Sequence, residues 1–196
     1  MNRCEYVNLN NPLYIAYHDD EWGKPLHDDR ALFELLELEC FQAGLSWECV
    51  LNKREAFRRA YEGFDPERVA AYGEDDIARL LADAGIIRNK LKVRSSVTNA
   101  QAFLQTQRKF GSFDAYIWGF TNNEVLHIDF HAETSSPLSD EISKDLKRRG
   151  MKFVGTTVVY SYLQAIGVIN AHSPACDLYE GGETGTRYLF HTLMRK

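Results

Sequence analysis

Two cysteines and two histidines lie at opposite ends of the chain: Cys4 and His18 near its start, His172 and Cys176 near its end. Thiolate and imidazole are the donors a tetrahedral zinc ion accepts, and two of each make a closed structural set with no position left for water. The segment His172-Ser173-Pro174-Ala175-Cys176 can chelate by itself, whereas Cys4 and His18 stand too far apart for a compact knuckle. A shared ion would clip the first and last segments together over the body of the protein. Spacing alone leaves the alternative that each is an ordinary core or surface residue, since Cys is often buried without a metal. Cys40 and Cys49 fall within apolar helical patterns and read as packed hydrophobes.

A second concentration of chemistry is Tyr14, Tyr17, Trp22 and Trp47 with the carboxylate of Glu39. Electron-rich ring faces plus one acid are what a pocket needs to hold a planar cation, by stacking, cation–π attraction and charge complementarity. The carboxylate can also accept from an exocyclic amino group. The competing reading makes the aromatics core and Glu39 a surface helix residue.

A third is the turn Ala84-Gly85-Ile86-Ile87-Arg88-Asn89-Lys90 between two helical patterns. It would present the free N–H groups of a helix's first turn beside basic side chains, which suits a phosphate. With Gly85 as its single glycine, a simple helical hairpin is the alternative. Basic side chains recur at Arg88, Lys90, Lys92 and Arg94, and again from Lys144 to Lys152. The net charge of −5 argues against a polyanion partner only on average, because phosphate is bound by local patches.

The elements that must position these groups are helical nearly throughout. Asp28 or Asp29 caps a helix with Leu32, Leu35, Leu36 and Cys40 on one side. Gln42-Ala43-Gly44-Leu45 breaks it, and Ser46 caps a second helix reaching Ala60. Asp65-Pro66 starts another. Residues 75–84 carry a buried stripe that Gly85 stops, through a positive φ. A long helix then runs from about Arg88 to Gln107 with Leu91, Val97 and Phe103 inward. Residues 122–136 read as a loop, Ser139 begins an amphipathic helix that Gly150 ends, and 155–168 reads as a central buried helix. Residues 180–185 look like a hinge before a short tail helix. The fold is all-α.

At 196 residues the chain forms one large domain or two small lobes. No run approaches 18 apolar residues, and the start lacks the apolar segment of a secretory signal. Four cysteines in that context point to reduced thiols and a cytoplasmic protein.

The runs Asn11-Pro12-Leu13-Tyr14-Ile15-Ala16-Tyr17-His18-Asp19-Asp20-Glu21-Trp22-Gly23, Gln42-Ala43-Gly44-Leu45-Ser46-Trp47 and Lys152-Phe153-Val154-Gly155-Thr156-Thr157 resemble the 3-methyladenine DNA glycosylase I family. So do Arg3-Cys4 and Asn170-Ala171-His172-Ser173-Pro174-Ala175-Cys176. The resemblance is collinear and covers about residues 3–178; it implies a glycosylase domain over residues 1–178, of two helical lobes with the terminal segments packed together, and a tail over 179–196. It implies a helix–hairpin–helix DNA glycosylase fold and a structural zinc on Cys4, His18, His172 and Cys176. It places Glu39 as the base-binding glutamate, Tyr17 and Trp47 as stacking rings, Trp22 at the pocket wall and Ser161 beside the pocket tyrosine. Gly44 and Leu45 match the turn that fills the gap left by an extruded nucleotide.

The implied activity is hydrolysis of the N-glycosidic bond of 3-methyladenine in double-stranded DNA by a monomer that flips the base. No lysine Schiff base and no strand cleavage are expected, and the aspartate that related glycosylases place after the hairpin is missing. The family pattern is departed from at Cys40, where a glycine is expected, and at Ser173-Pro174-Ala175 between the last two ligands. The alternatives are a non-catalytic sensor of alkylation damage using the same pocket, and a zinc-stapled interaction module with no DNA role.

Overall fold

Helices carry nearly all the regular structure in the computed structural model, which describes residues 1–128 and 133–181. The expected tail helix and most of the expected hinge lie outside the described residues. Asn11 caps α1 (Pro12–Asp20) through Leu13 N–H, and the Asp28 carboxylate caps α2 (Asp29–Gln42) through Ala31 N–H. Ser46 caps α3 (Trp47–Leu51), but the helix expected to continue to Ala60 breaks at Asn52-Lys53 and resumes as α4 (Arg54–Ala60). Side-chain ties account for the break. Asn52 accepts from the Asn11 amide, and the Lys53 ammonium reaches the Gly85 carbonyl.

Asp65 opens α5 (Pro66–Ala70), followed by α6 (Glu74–Ala82), the long α7 (Lys90–Phe110) and α8 (Phe113–Trp118). Ser136, three residues earlier than expected, starts α9 (Pro137–Arg148), and α10 (Thr156–Ala165) follows. The fold is not purely helical: β1 (Leu126–His127) pairs in parallel with β2 (Ile169–Asn170), Leu126 opposite Ile169. Two residues are too few to show an alternating pattern, so the sequence could not reveal them. Among the described residues no helix is long and apolar enough to cross a membrane.

The most enclosed helix is α2, in which every residue from Leu32 to Phe41 is buried. It packs against α10, where the Tyr162 hydroxyl donates to the Leu32 carbonyl at 3.1 Å. On α10 itself Val159, Tyr160, Tyr162 and Leu163 are buried, while Ser161 and Gln164 stay half-buried on an open side. The N-terminal segment is laid along the end of α10 by Gly23 N–H to the Gln164 carbonyl and Leu26 N–H to the Ile166 carbonyl. Gly167 permits this approach: its φ is +74°, and a Cβ there would run into the Lys24 carbonyl.

Burying α2 also buries Glu34, Glu37 and Glu39. Glu34 is neutralised by Arg54 at 2.6 Å and Arg58 at 2.8 Å. Neither carboxylate oxygen of Glu37 has a hydrogen-bond partner. Burial raises its pKa from 4.5 to about 8, an effect the nearby Asn99 amide only partly offsets. The folded chain therefore keeps a proton that the unfolded chain releases above about 4.5, and stability falls as pH climbs from there towards 8. Glu37→Gln should remove this dependence. Urea unfolding should show the variant gaining on the order of 4 kcal/mol over the wild type at pH 8 relative to pH 4.5. An equal difference at both pH values would show that Glu37 ionises freely in the folded protein.

Candidate functional site

The two ends of the chain meet at Cys4, His18, His172 and Cys176, all buried, with their ligand atoms within 4.8 Å of one another. Cys4 Sγ lies 3.4 Å from His172 Nδ1, and Cys176 Sγ lies 3.6 Å from the same nitrogen and 3.7 Å from His18 Nε2. Backbone N–H groups point at the sulfurs, Ser173 N to Cys4 and Leu178 N to Cys176. Burial opposes ionisation of Cys4, but hydrogen bonds from His172, His18 and Ser173 outweigh it and lower the thiol to about 4. The other nitrogen of His18 meets Asp19 at 2.9 Å, and Asp19 is gripped by the Arg3 guanidinium. A carboxylate behind a histidine in this way fixes its orientation as a ligand. The group can hold a metal ion.

His18 also lines a cavity, and His172 stands behind its Trp22 wall. The Trp22 ring meets His172 edge-on at 4.7 Å and lies parallel to His18 at 6.3 Å, and Tyr6 packs on its other side at 5.5 Å. That cavity, about 220 Å³, brings together Tyr14, Tyr17, Trp22, Glu39, Trp47 and Ser161, all singled out from the sequence. Tyr17 and Trp47 stand 4.9 Å apart, their planes tilted by 44°. They are positioned by different helices: Tyr17 by α1, Glu39 by α2, Trp47 by the first residue of α3, Ser161 by the open side of α10.

Glu39 is 3% exposed, its Oε2 has no hydrogen-bond partner, and burial raises its pKa from 4.5 to about 8. The indole N–H of Trp47 is likewise unpartnered. A buried acid and a buried donor left unsatisfied in an aromatic cleft are costly unless a ligand completes them.

Gln42, Gln164, Tyr6 and His18 also line the cavity and were not expected there. Gln42 follows Glu39 by three residues and Gln164 follows Ser161 by three, so helical spacing was a usable signal for both.

The candidate DNA-facing residues fall in two places. Gly44 has φ +80° with open space around it, so conformation rather than crowding calls for glycine. Leu45 beside it is 43% exposed, at the cavity rim set by Gln42 and Trp47. Arg88 is exposed just before α7 and Lys90 at its first position. Gly85 does not adopt the positive φ expected of it: α6 ends at Asp83, whose carboxylate accepts from Gly85 N–H at 2.7 Å. The first-turn N–H groups of α7 are not all free either, because the Asn89 side chain accepts from Leu91 and Lys92. Leu91, expected inward, is 70% exposed, while Lys92 of the supposed basic face is buried.

Residues 7–179 match the family model for methyladenine glycosylase. The chain is 47% identical over 187 residues to DNA-3-methyladenine glycosylase 1 of Escherichia coli K12, covering 93% of this chain and all of that protein. It is 39% identical over 178 residues to the DNA-3-methyladenine glycosylase of Haemophilus influenzae, covering 89% of this chain and 96% of that protein. A crystal structure of 3-methyladenine DNA glycosylase I superposes with a TM-score of 0.87 at 45% identity, over 91% of this chain and the whole of the other. The glycosylase I of Staphylococcus aureus, solved to explain 3-methyladenine recognition, gives 0.86 at 38% identity over 90% and 96% of the two chains. The chain belongs to the methyladenine glycosylase family.

Proposed function

We propose that this protein repairs DNA by excising 3-methyladenine, hydrolysing its N-glycosidic bond after the nucleotide has been turned out of the duplex. The observation that carries this reading is the unsatisfied Glu39 carboxyl at the edge of a cavity walled by Tyr17, Trp22 and Trp47. At about 220 Å³ the cavity suits a single base rather than a drug-sized ligand of about 300–1,000 Å³.

Adenine methylated at N3 carries a positive charge in DNA, which weakens its bond to deoxyribose, so the enzyme must select more than it must protonate. Extruding a base costs a few kcal/mol, least for a damaged one. Each well-placed ring face would return about 0.5–2 kcal/mol to the cation and much less to neutral adenine. A cation seated there would also favour the ionised form of Glu39, which can then accept from the amino edge. Water attacks the oxocarbenium-like sugar, stabilised by DNA phosphates and Glu39. Base release without Schiff-base lyase chemistry belongs to this reading.

Gly44 and Leu45 would occupy the vacated stack, while residues 84–90, with Gly85, Arg88 and Lys90, would grip the backbone as a helix–hairpin–helix clamp. Arg88→Glu should weaken duplex binding about tenfold regardless of sequence and flatten its salt dependence. Unchanged affinity at moderate salt would take the hairpin off the DNA surface.

The metal group fits zinc. Zn–S of about 2.3 Å and Zn–N of about 2.0–2.1 Å in a tetrahedron imply S···N edges of about 3.5 Å. Three of the four S···N edges are 3.4, 3.6 and 3.7 Å, and all four ligand atoms lie within 4.8 Å of one another. Two thiolates would neutralise such an ion, and four protein ligands would leave it no open position for water, which suits a structural role. Residues 1–178 are read as the glycosylase domain, acting as a cytoplasmic monomer whose pocket is complete within one chain.

Incubation with methylated duplex DNA and chromatography of the released bases tests the activity. Release of 3-methyladenine with the strands left intact is expected. Damage-selective binding with no base released would make the protein a sensor instead.

A further inference from the structure

The turn after α2 and the hairpin before α7 come from distant parts of the sequence, and the Lys92 side chain joins them. Lys92 lies in the first turn of α7, three residues after the Asn89 cap. It is 7% exposed, and its ammonium donates to the carbonyls of Phe41 at 2.8 Å and Ala43 at 2.6 Å. The Phe153 ring covers it at 5.9 Å. Its partners are thus the last carbonyls of α2, which a helix leaves unpaired and which carry the negative end of its dipole.

A helix stop alone does not require such a contact. The non-helical backbone of Ala43 already ends α2, and Gly44 supplies the positive φ of the turn that follows. What the buried ammonium adds is a tether between the turn bearing exposed Leu45 and the helix that Arg88 and Lys90 lead into. Leu45 is held from its own side by its N–H to the Gln42 carbonyl at 2.6 Å.

We propose that Lys92 is a positioning residue for base extrusion, fixing the Gly44-Leu45 turn against the hairpin so that wedge and backbone clamp engage DNA as one rigid unit. This rests on the reading of that turn as the wedge. A nucleotide stays out of the stack only if the wedge enters while the adjoining phosphates are held. Losing the tether lets the turn give way even though the pocket remains intact.

Lys92→Met keeps the apolar stem and removes the donors. Single-turnover excision of 3-methyladenine from duplex DNA at saturating enzyme should fall at least tenfold, while the Kd for free 3-methyladenine stays within twofold of the wild type. A purely structural role would lower both together, and that result, or excision within twofold of the wild type, would overturn the proposal. Leu45→Ala, run in parallel, separates the two layers. If it excises at the wild-type rate, the wedge reading itself falls. If it is impaired and Lys92→Met is not, only the role given to Lys92 falls.

Discussion

Glu39→Gln should lower single-turnover excision of 3-methyladenine by about 100-fold or more, equivalent to about 2.7 kcal/mol of transition-state stabilisation. The substitution keeps the size of the side chain, abolishes its ionisation and replaces one acceptor oxygen with an NH2 donor. Affinity for undamaged duplex should stay within twofold, since Glu39 is buried in the cavity and distant in function from phosphate contacts. Equal loss of excision and of undamaged-DNA binding would contradict the role given to it.

The pH profile gives a second handle on the same residue. In the free protein Glu39 is raised to about 8, so a reaction needing its ionised form should show kcat/KM rising with pH until about 8. A bound cation favours the carboxylate, so the profile of kcat should rise at lower pH than that of kcat/KM. Glu39→Gln should be flat over that range.

Cys176→Ala should reduce zinc content from one ion per chain towards none and lower the Tm by on the order of 10 °C, as loss of a metal clip costing several kcal/mol would. The variant leaves a thiolate and two histidines around a site built for neutral balance, with Cys4, His18 and His172 still converging. Because the His18 and His172 rings support Trp22, the cavity wall should loosen next, and affinity for the base should decline after stability does. A full zinc complement in Cys176→Ala would disprove that cysteine as a ligand.

The sequence was most readable where chemistry restricts residue type. Thiolates and imidazoles have few uses at opposite ends of one chain, and the structure gathers Cys4, His18, His172 and Cys176. Four aromatics with one acid in short order likewise come together around a cavity. Helix starts were legible where Asp28, Ser46 and Asp65 cap through their own side chains, whereas the Asn11 cap of α1 went unread. Less legible was anything decided by the third dimension. Lys92 reads as part of a basic face until the end of α2 is seen to lie against it. Nothing in the sequence singles out Glu37, whose burial follows only from α2 being enclosed on all sides. The stop after α6 was attributed to Gly85 because glycine is the common solution, whereas here an Asp83 side chain does that work.

The most direct test of the pocket is a titration of isotopically labelled protein with 3-methyladenine, followed through the tryptophan indole N–H resonances. Trp47 lines the cavity with an unpartnered N–H, whereas the Trp118 indole is buried elsewhere on the Leu26 carbonyl at 2.9 Å. The Trp47 resonance should move saturably while that of Trp118 stays still, and Glu39→Gln should shift the titration to higher concentration. A Trp47 resonance that does not respond while the base binds would show that the base sits somewhere else.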